Sequence, residues 1–519
     1  MGATPEPDPA VKFRIDNRAG AVAAALLSAT LMGVAECQPG FGWLALAGMT
    51  PLCLTMRWDR FMTAWLSLAT FGAALTAMTG QWIRLTAPGF VWLLVAAIVY
   101  QAALAAIPAA GVWAIGRRVE GRAALLFLPV FWVAMELLER HAFFGISWAL
   151  AGLPLADYAA FREAASIAGP EALSFAAVAV SIALALIARS SGRVRLLATL
   201  QGAAILVAVL AFGYARGGSG SEAVTAKIAV VQPVIAQETR WDRTENRPPL
   251  LQRMNRLIDR AAAQSPRLIV LPEGSLPGLV HRERDLAEFV TGAVERTGRP
   301  LLFGSVVADD AGNFYNAAIR IGTDGTVDEY RKRKLVPFAE RTPWPFGNTQ
   351  PDGWVKFTPG SDARLMPLNA ATSFGVAMCL EDTYPDLARD AVGQGASFLI
   401  ALVNTESFKE TSQPLAHLRR AQLTAAAAGI PILRAANSGV SCSLDAHGRI
   451  LAQVPENREA AEALPVAILP VATLYGAVGD GGVLAMLAMW FCSIVFSLRL
   501  KLVLPRARRR RRSTMPAWT

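Results

Sequence analysis

The sequence is poor in charged side chains and in cysteine. Only 17% of its 519 residues are Asp, Glu, Lys or Arg, whereas 53% are hydrophobic. A soluble globular protein carries about 25% charged residues, and a disordered chain is poor in apolar ones. The composition therefore excludes a wholly soluble chain and a mainly disordered one. The five cysteines are scattered without a CxxC pair, so no zinc, haem or disulfide framework is predicted.

The hydrophobic residues are concentrated in stretches on both sides of a more polar segment. They occupy residues 20–35, 41–56, 61–79, 90–115, 123–138, 173–187, 196–212 and 483–503. A membrane-spanning helix needs about 17–25 apolar residues, and the first, second, fifth and sixth stretches are at or below that length. We nevertheless expect all eight to span. The predicted organisation is a cytoplasmic N-terminus (1–18), a membrane region of about seven helices (19–213), an extracytoplasmic domain (222–475), a final transmembrane helix (483–504) and a basic cytoplasmic tail (505–519).

The positions of the basic residues predict the orientation of these spans. With a cytoplasmic N-terminus, the inside segments hold Lys12, Arg14, Arg18, Arg57, Arg60, Arg117, Arg118, Arg122, Arg189, Arg193 and Arg195, and the outside loops hold Arg84, Arg140 and Arg162. This distribution follows the positive-inside rule. The net charge of +10 includes an arginine run at 506–512. Because that run adjoins a membrane span, we interpret it as a contact to anionic lipid headgroups and predict no nucleic-acid partner.

The polar segment has the pattern of an α/β domain. Apolar, β-branched runs predict strands at 226–232, 267–271, 301–307, 317–321, 373–378, 398–402, 432–435 and 441–443, and helical patterns lie at 249–264, 285–297 and 413–428. Such alternation of strands and helices predicts an α/β domain with a largely buried sheet.

Three polar residues are candidates for a shared site: Glu273 and Cys379 follow predicted strands, and Lys332 lies in the segment EYRKRKLVPFAE. Singly, each has an ordinary structural explanation as a helix cap, a solvated base or a small buried hydrophobe. Together they have a shared chemistry, because a thiol attacks an acyl carbon only as the thiolate. A partly desolvated carboxylate can take the thiol proton. A nearby ammonium group would lower the thiol pKa and stabilise the oxyanion that forms.

No other catalytic or cofactor-binding pattern is present in the sequence. The four histidines show no spacing to Cys379 that suggests a Cys–His pair, and we interpret them as surface or packing residues: His141, His281, His417 and His447. The sequence contains no metal-ligand cluster, no glycine-rich phosphate loop and no dinucleotide fingerprint. We therefore predict no metal and no cofactor.

Five segments resemble a known family. They are VVQPVIAQETRW (230–241), LPEGSLPG (271–278), YRKRKLVPFAE (330–340), GVAMCLED (375–382) and ILRAANSGVSCSLDAHG (432–448). The Glu–Lys–Cys set resembles the nitrilase superfamily of carbon–nitrogen hydrolases. With the flanking helices, the chain is similar to the apolipoprotein N-acyltransferases, bacterial membrane enzymes that complete lipoproteins. The resemblance implies a polytopic α-helical membrane region plus an α/β nitrilase-like domain, a four-layer αββα sandwich on the periplasmic side of the inner membrane.

The resemblance also implies roles for the matching residues. These would be Cys379 as nucleophile, Glu273 as general base, Lys332 rather than Lys334 as oxyanion stabiliser, Glu340 and Glu381 as supports of the lysine and the site, Trp241 near the substrate entrance, and Asn404 as a retained residue after the next strand. In the implied reaction, Cys379 takes a fatty acyl chain from a membrane phospholipid as a thioester. The α-amine of an N-terminal diacylglyceryl-cysteine of a lipoprotein then accepts that acyl chain.

Two departures from the family pattern leave other functions open. Leu380 stands where the family usually has tyrosine, and residues 405–407 (TES) stand where the family has Asp-Ala-Trp. These changes would suit a membrane-anchored amidase or acyltransferase of the same superfamily with another substrate, such as a protein associated with conjugal transfer. A membrane scaffold without turnover is the third interpretation, and the retention of all three candidate catalytic residues argues against it.

Overall fold

The structure is a computed structural model that describes residues 18–85, 91–119, 121–142, 145, 150–217, 225–236, 247–342, 355–408 and 410–498. The candidate entrance residue Trp241 and the basic tail at 505–519 lie outside these residues. The described chain forms a helical region, to which both its first and last helices belong, and an α/β domain between them.

The helical region contains ten helices before the α/β domain and two after it, among the residues described. Those before it are α1 (Arg18–Cys37), α2 (Thr50–Thr55), α3 (Phe61–Thr79), α4 (Val91–Leu104), α5 (Ala106–Gly116), α6 (Leu128–His141), α7 (Ala159–Arg162), α8 (Ala165–Ala168), α9 (Glu171–Arg189) and α10 (Gly192–Gly217). In the described chain, six helices are long and apolar enough to cross a membrane: Ala19–Cys37, Phe61–Thr79, Val91–Gly116, Glu171–Arg189, Gly192–Gly217 and Gly481–Leu498. The apolar segment Gly42–Thr55 is shorter.

The ends of these helices alternate between the α/β domain and the opposite side of the helical region. At the end of α1, the Cys37 Sγ donates to the Ser412 hydroxyl of the α/β domain at 3.3 Å. After the Gly42–Thr55 segment, Trp58 packs against Gly116 at the end of α5. Helix α6 ends beside the domain, where His141 Nε2 lies 2.6 Å from an Asp480 carboxylate oxygen. Cys37 and His141 therefore lie on the side of the helical region that faces the α/β domain.

The α/β domain contains two six-stranded sheets. Their strands are β1 (Thr225–Gln232), β2 (Ile269–Val270), β3 (Leu301–Ala308), β4 (Phe314–Ile321), β5 (Val327–Arg331), β6 (Met366–Asn369), β7 (Thr372–Met378), β8 (Phe398–Val403), β9 (Ile432–Ala436), β10 (Ser441–Leu444), β11 (Ile450–Val454) and β12 (Ala460–Ala467). The strand orders are β12-β1-β2-β3-β4-β5 and β11-β10-β9-β8-β7-β6. In each sheet the central strands β1–β3 or β7–β9 are parallel, and the outer ones pair antiparallel.

Helices cover the outer face of each sheet, and the chain returns to the helical region afterwards. These elements are α11 (Arg247–Ala262), α12 (Arg284–Thr297), α13 (Pro385–Gly393), α14 (Gln413–Ala428), α15 (Leu474–Val478) and α16 (Gly481–Leu498). Successive strand residues point to opposite faces. In β1, Ile228 therefore joins the core between the sheets, together with Ile400 of β8, whereas Ala229 packs beneath α11 and α12. The four-layer αββα sandwich is confirmed.

Most predicted strands and helices are present, and three of the missed strands share a cause. The helix predicted at 413–428 is confirmed as α14, whereas the strand predicted at 267–271 is only Ile269–Val270. The patterns gave no indication of β5, β6, β11 or β12, nor of α13. Strands β5, β6 and β11 carry exposed or half-exposed residues at most positions. They lack the continuous apolar run that marks a strand buried on both faces.

Candidate active site

Cys379 lies at the carboxyl end of β7 in an unusual backbone conformation. Its φ is 49°, in the left-handed region that residues other than glycine seldom adopt. It begins a short 3-10 turn, Cys379–Thr383. The Cys379 Sγ donates to the carbonyl oxygen of Asn404 at 3.7 Å, because the parallel pairing of β7 and β8 brings both strand ends to one edge of the sheet. Backbone strain of this kind is found at functional sites and persists only where the surroundings enforce it.

Lys332 is buried between two carboxylates. It follows β5, and its Nζ donates to Glu340 Oε1 at 2.9 Å and to Glu273 Oε1 at 3.2 Å. Its relative exposure is only 1%. Glu273 approaches because β3 has a glycine at the contact point: a Cβ at Gly304 would lie 2.9 Å from the Glu273 Cα. Lys334, in contrast, lies over the ring of Tyr384 at 5.5 Å, so the structure places Lys332 in the carboxylate cluster.

The sequence analysis missed Asn316, which joins the two carboxylates. The Asn316 side-chain Nδ2 donates to Glu273 Oε1 at 2.8 Å and to Glu340 Oε1 at 2.7 Å. The backbone carbonyl oxygen of Asn316 also accepts the backbone N–H of Lys332 at 2.8 Å. The available signal was an amide side chain inside the mainly apolar β4, FYNAAIRI.

Glu381 supports the site through backbone groups. Its carboxylate accepts the N–H groups of Arg333, Lys334 and Met378 at 2.7, 2.9 and 2.8 Å, and the Tyr330 hydroxyl at 2.9 Å. These bonds join the turn that begins at Cys379 to the loop that follows Lys332. The two predicted supporting glutamates therefore act differently: Glu340 contacts the ammonium group, and Glu381 holds the surrounding chain.

The hydrogen bonds of the histidines lead to groups other than Cys379. His141, His281 and His447 contact Asp480, the backbone of Ala308 and Glu163, respectively. His417 is buried, as expected of a packing residue, and its Nε2 in addition lies 2.6 Å from Asp382 Oδ1. The spacing gave no indication of this pair, since 35 residues separate its members. Among the described residues, no group of three or more His, Cys, Asp or Glu side chains could hold a metal ion.

The surroundings of the Cys379 thiol act on its acidity in opposite directions. Burial and the negative charge of Glu273 raise the pKa of the Cys379 thiol above its usual value, and the Lys332 ammonium offsets only part of this rise. Although burial alone would lower the pKa of Lys332, Glu273 and Glu340 raise it, so the group stays charged. Two carboxylates already balance that charge. The thiol is therefore protonated at rest and must lose its proton to a base as the reaction begins.

Comparisons with known proteins agree with this architecture. Residues 227–472 match the family model for carbon–nitrogen hydrolases, and residues 28–183 match that for the apolipoprotein N-acyltransferase N-terminal domain. An apolipoprotein N-acyltransferase of Geobacter metallireducens is 26% identical over 84% of this chain and 87% of its own. One of Allorhizobium ampelinum is 27% identical over 78% and 79%. A solved amidase from Nesterenkonia sp. is 15% identical over 52% of this chain and 99% of its own, with a TM-score of 0.39.

The α/β domain, with its two sheets and buried Glu–Lys pair, is thus a carbon–nitrogen hydrolase domain. This domain is combined with the N-terminal domain named above and with several membrane-length helices. The chain is therefore similar to apolipoprotein N-acyltransferases over most of its length and is a multi-pass bacterial membrane protein.

The electrostatics of the site predict how the pH dependence of thiol alkylation responds to substitution. Iodoacetamide reacts with the thiolate. Glu273→Gln removes a negative charge that raises the pKa of Cys379, so we expect its alkylation to begin at lower pH than in the wild type. Lys332→Met should move the profile to higher pH. Site-resolved mass spectrometry measures both profiles, and Asp259→Asn, at an exposed ion pair with Arg296, should leave the profile unchanged. A shift to higher pH in Glu273→Gln would contradict this electrostatic account.

Proposed function

We propose that this chain is an N-acyltransferase that uses Cys379, Glu273 and Lys332 to acylate lipoproteins. It would move a fatty acyl chain from a membrane phospholipid to the α-amine of an N-terminal diacylglyceryl-cysteine. One observation carries the proposal: a thiol and a buried Glu–Lys pair lie on loops that pack directly against the apolar helical region.

Aromatic and aliphatic contacts join the site loops to the helical region. Phe338, between Lys332 and Glu340 in sequence, packs with Ile83 and Leu93. Its ring centroid is 6.1 Å from that of Trp92. A second contact lies beyond Asn404, where Phe408 meets Trp82 edge to face at 5.7 Å. Substrates whose acyl chains remain in the bilayer would therefore reach the thiol without leaving the lipid.

In the first half-reaction, the Cys379 sulfur attacks the ester carbonyl carbon of the phospholipid. The thiol proton passes to Glu273 while the C–S bond forms, and the buried ammonium of Lys332 stabilises the oxyanion. The ester C–O bond then breaks, and the proton goes from Glu273 to the departing alkoxide. The products are a thioester on Cys379 and a lysophospholipid.

In the second half-reaction, the lipoprotein amine attacks the thioester carbonyl. The C–S bond breaks as the C–N bond forms, and Glu273 takes a proton from the amine and passes it to the departing thiolate, which restores the thiol. The similarity to apolipoprotein N-acyltransferases supports this acceptor. The departures at Leu380 and residues 405–407 concern the surroundings of the acceptor rather than the three reacting groups. Hydrolysis, or transfer to another amine, is the alternative outcome.

We propose that the α/β domain faces the periplasm and that all eight apolar stretches cross the inner membrane. The arginines at the ends distant from the α/β domain support this orientation: Arg57, Arg60, Arg117, Arg118, Arg122, Arg189, Arg193 and Arg195. At the opposite ends, beside the domain, lie Arg84, Arg140 and Arg162. Cationic loops remain in the cytoplasm.

Acyl transfer should depend on Cys379 and on no other thiol. We expect wild-type protein in phospholipid vesicles to add one fatty acyl group to a synthetic diacylglyceryl-cysteine peptide, as detected by mass spectrometry of the peptide. Cys379→Ser should add none, because the hydroxyl is a weaker nucleophile. Cys492→Ser, which changes an exposed cysteine of α16, should retain transfer. Free fatty acid in place of acylated peptide would identify a hydrolase, and transfer by Cys379→Ser would exclude the thioester route.

Cysteine labelling tests the orientation. Asp310→Cys lies on an exposed turn of the α/β domain, and Arg118→Cys lies at the distant end of α5. In cells with a permeabilised outer membrane, an impermeant maleimide should label Asp310→Cys, whereas Arg118→Cys should react only after lysis. Each substitution is made in Cys492→Ser protein. The reverse pattern would place the domain in the cytoplasm and contradict the proposal.

A further inference from the structure

The turn that carries Cys379 contains two adjacent acids with different partners. Glu381 is bonded to the loop after Lys332, as described above. Asp382 is directed instead to the second sheet and its helix layer. Its Oδ1 lies 2.6 Å from His417 Nε2 on α14, and its Oδ2 accepts the Nε–H of Arg434 on β9 at 2.8 Å. All three side chains are at most 3% exposed, and none takes part in the proposed proton transfers.

Asp382, His417 and Arg434 form a buried cluster, in which the two basic side chains stabilise the Asp382 carboxylate. Burial alone would raise the pKa of Asp382, but His417 and Arg434 hold it below its usual value, so the carboxylate stays ionised. Removal of the Asp382 charge would leave the Arg434 guanidinium buried without its counter-ion, which is strongly unfavourable. The turn beginning at Cys379 is therefore attached firmly to α14 and β9.

Helix α14 is itself fixed to the helical region of the protein. Two residues after His417, the fully buried Arg419 donates from Nε and Nη2 to the two Asp157 carboxylate oxygens at 2.7 and 2.6 Å. Its Nη1 donates to the carbonyl oxygen of Glu36, near the end of α1, at 2.6 Å. Residues two apart in a helix point about 200° from each other. One face of α14 thus contacts the turn that begins at Cys379, and the opposite face contacts the helical region.

We propose that Asp382, His417 and Arg434 are positioning residues for Cys379, and that the Arg419–Asp157 pair couples this position to the docking of the α/β domain on the helical region. The strained backbone at Cys379 needs surroundings that enforce it, and α14 transmits part of that constraint from the helical region. The inference rests on the proposed role of Cys379 as the nucleophile.

The coupling can be measured as a double-mutant cycle on the full-length protein in phospholipid vesicles. The variants are Asp382→Asn, Asp157→Asn and their combination, with Asp259→Asn as the control. Time-resolved intact mass gives the rate of Cys379 acylation. We expect each single variant to slow acylation by roughly 10–100-fold, the effect of a small misplacement of a reacting group, with the KM for phospholipid little changed. The double variant should be slowed by less than the product of the two factors, because both act through α14.

Further variants separate positioning from simple loss of folding. His417→Gln keeps a side-chain donor for Asp382 and should retain most of the rate, whereas His417→Leu should lose it at a similar Tm. A wild-type acylation rate in folded Asp157→Asn would overturn the coupling. So would a double variant whose acylation is slowed by the full product of the two single-variant factors. The same double-mutant cycle can be measured without a lipid donor, from the rate at which iodoacetamide alkylates Cys379. Wild-type protein that is alkylated but never acylated would contradict the proposed function, while the alkylation cycle still decides the coupling.

Discussion

The site depends on a buried ammonium group held between two carboxylates. Lys332 has almost no contact with solvent, and Glu273 and Glu340 provide the charge that compensates it. Loss of either carboxylate would leave a buried charge poorly compensated, which costs about 3–5 kcal/mol when a buried pair is broken. Because the ammonium is already balanced, it cannot by itself make the Cys379 thiol acidic. It is instead placed to stabilise negative charge that appears on the substrate.

Each of the two sheets contributes different residues to the candidate active site. Glu273 and Lys332 follow strands of the first sheet, whereas Cys379 and Asn404 follow strands of the second. The apolar core between the sheets therefore sets the distance between acid–base group and nucleophile, and Glu381 fixes the two turns to each other. Close-packed interiors deform little, so the sandwich keeps the reacting groups aligned while the loops around them contact the helical region.

Much of this arrangement was predictable from local patterns. Glu273 and Cys379 each follow a short apolar strand, and a polar group at such a strand end is a recognisable signal. Lys332 required the family motif as well, because β5 is a polar edge strand without an apolar run. The effect of Lys332 on the thiol was predictable in direction, whereas the opposing effects of burial and of Glu273 on the pKa of Cys379 depend on tertiary packing. The Asp382–His417 pair depends on tertiary packing of distant segments, and no local spacing encodes it.

The proposed mechanism requires Cys379 to carry the acyl group as a thioester. Its most direct test is the intact mass of purified protein incubated with phospholipid vesicles and no acceptor, with Glu273→Gln as the comparison. We expect a fatty-acyl mass increase on the wild type that maps to Cys379 and is released by neutral hydroxylamine, and much less adduct on Glu273→Gln. No adduct with any phospholipid, or an adduct that resists hydroxylamine or maps to another residue, would contradict it.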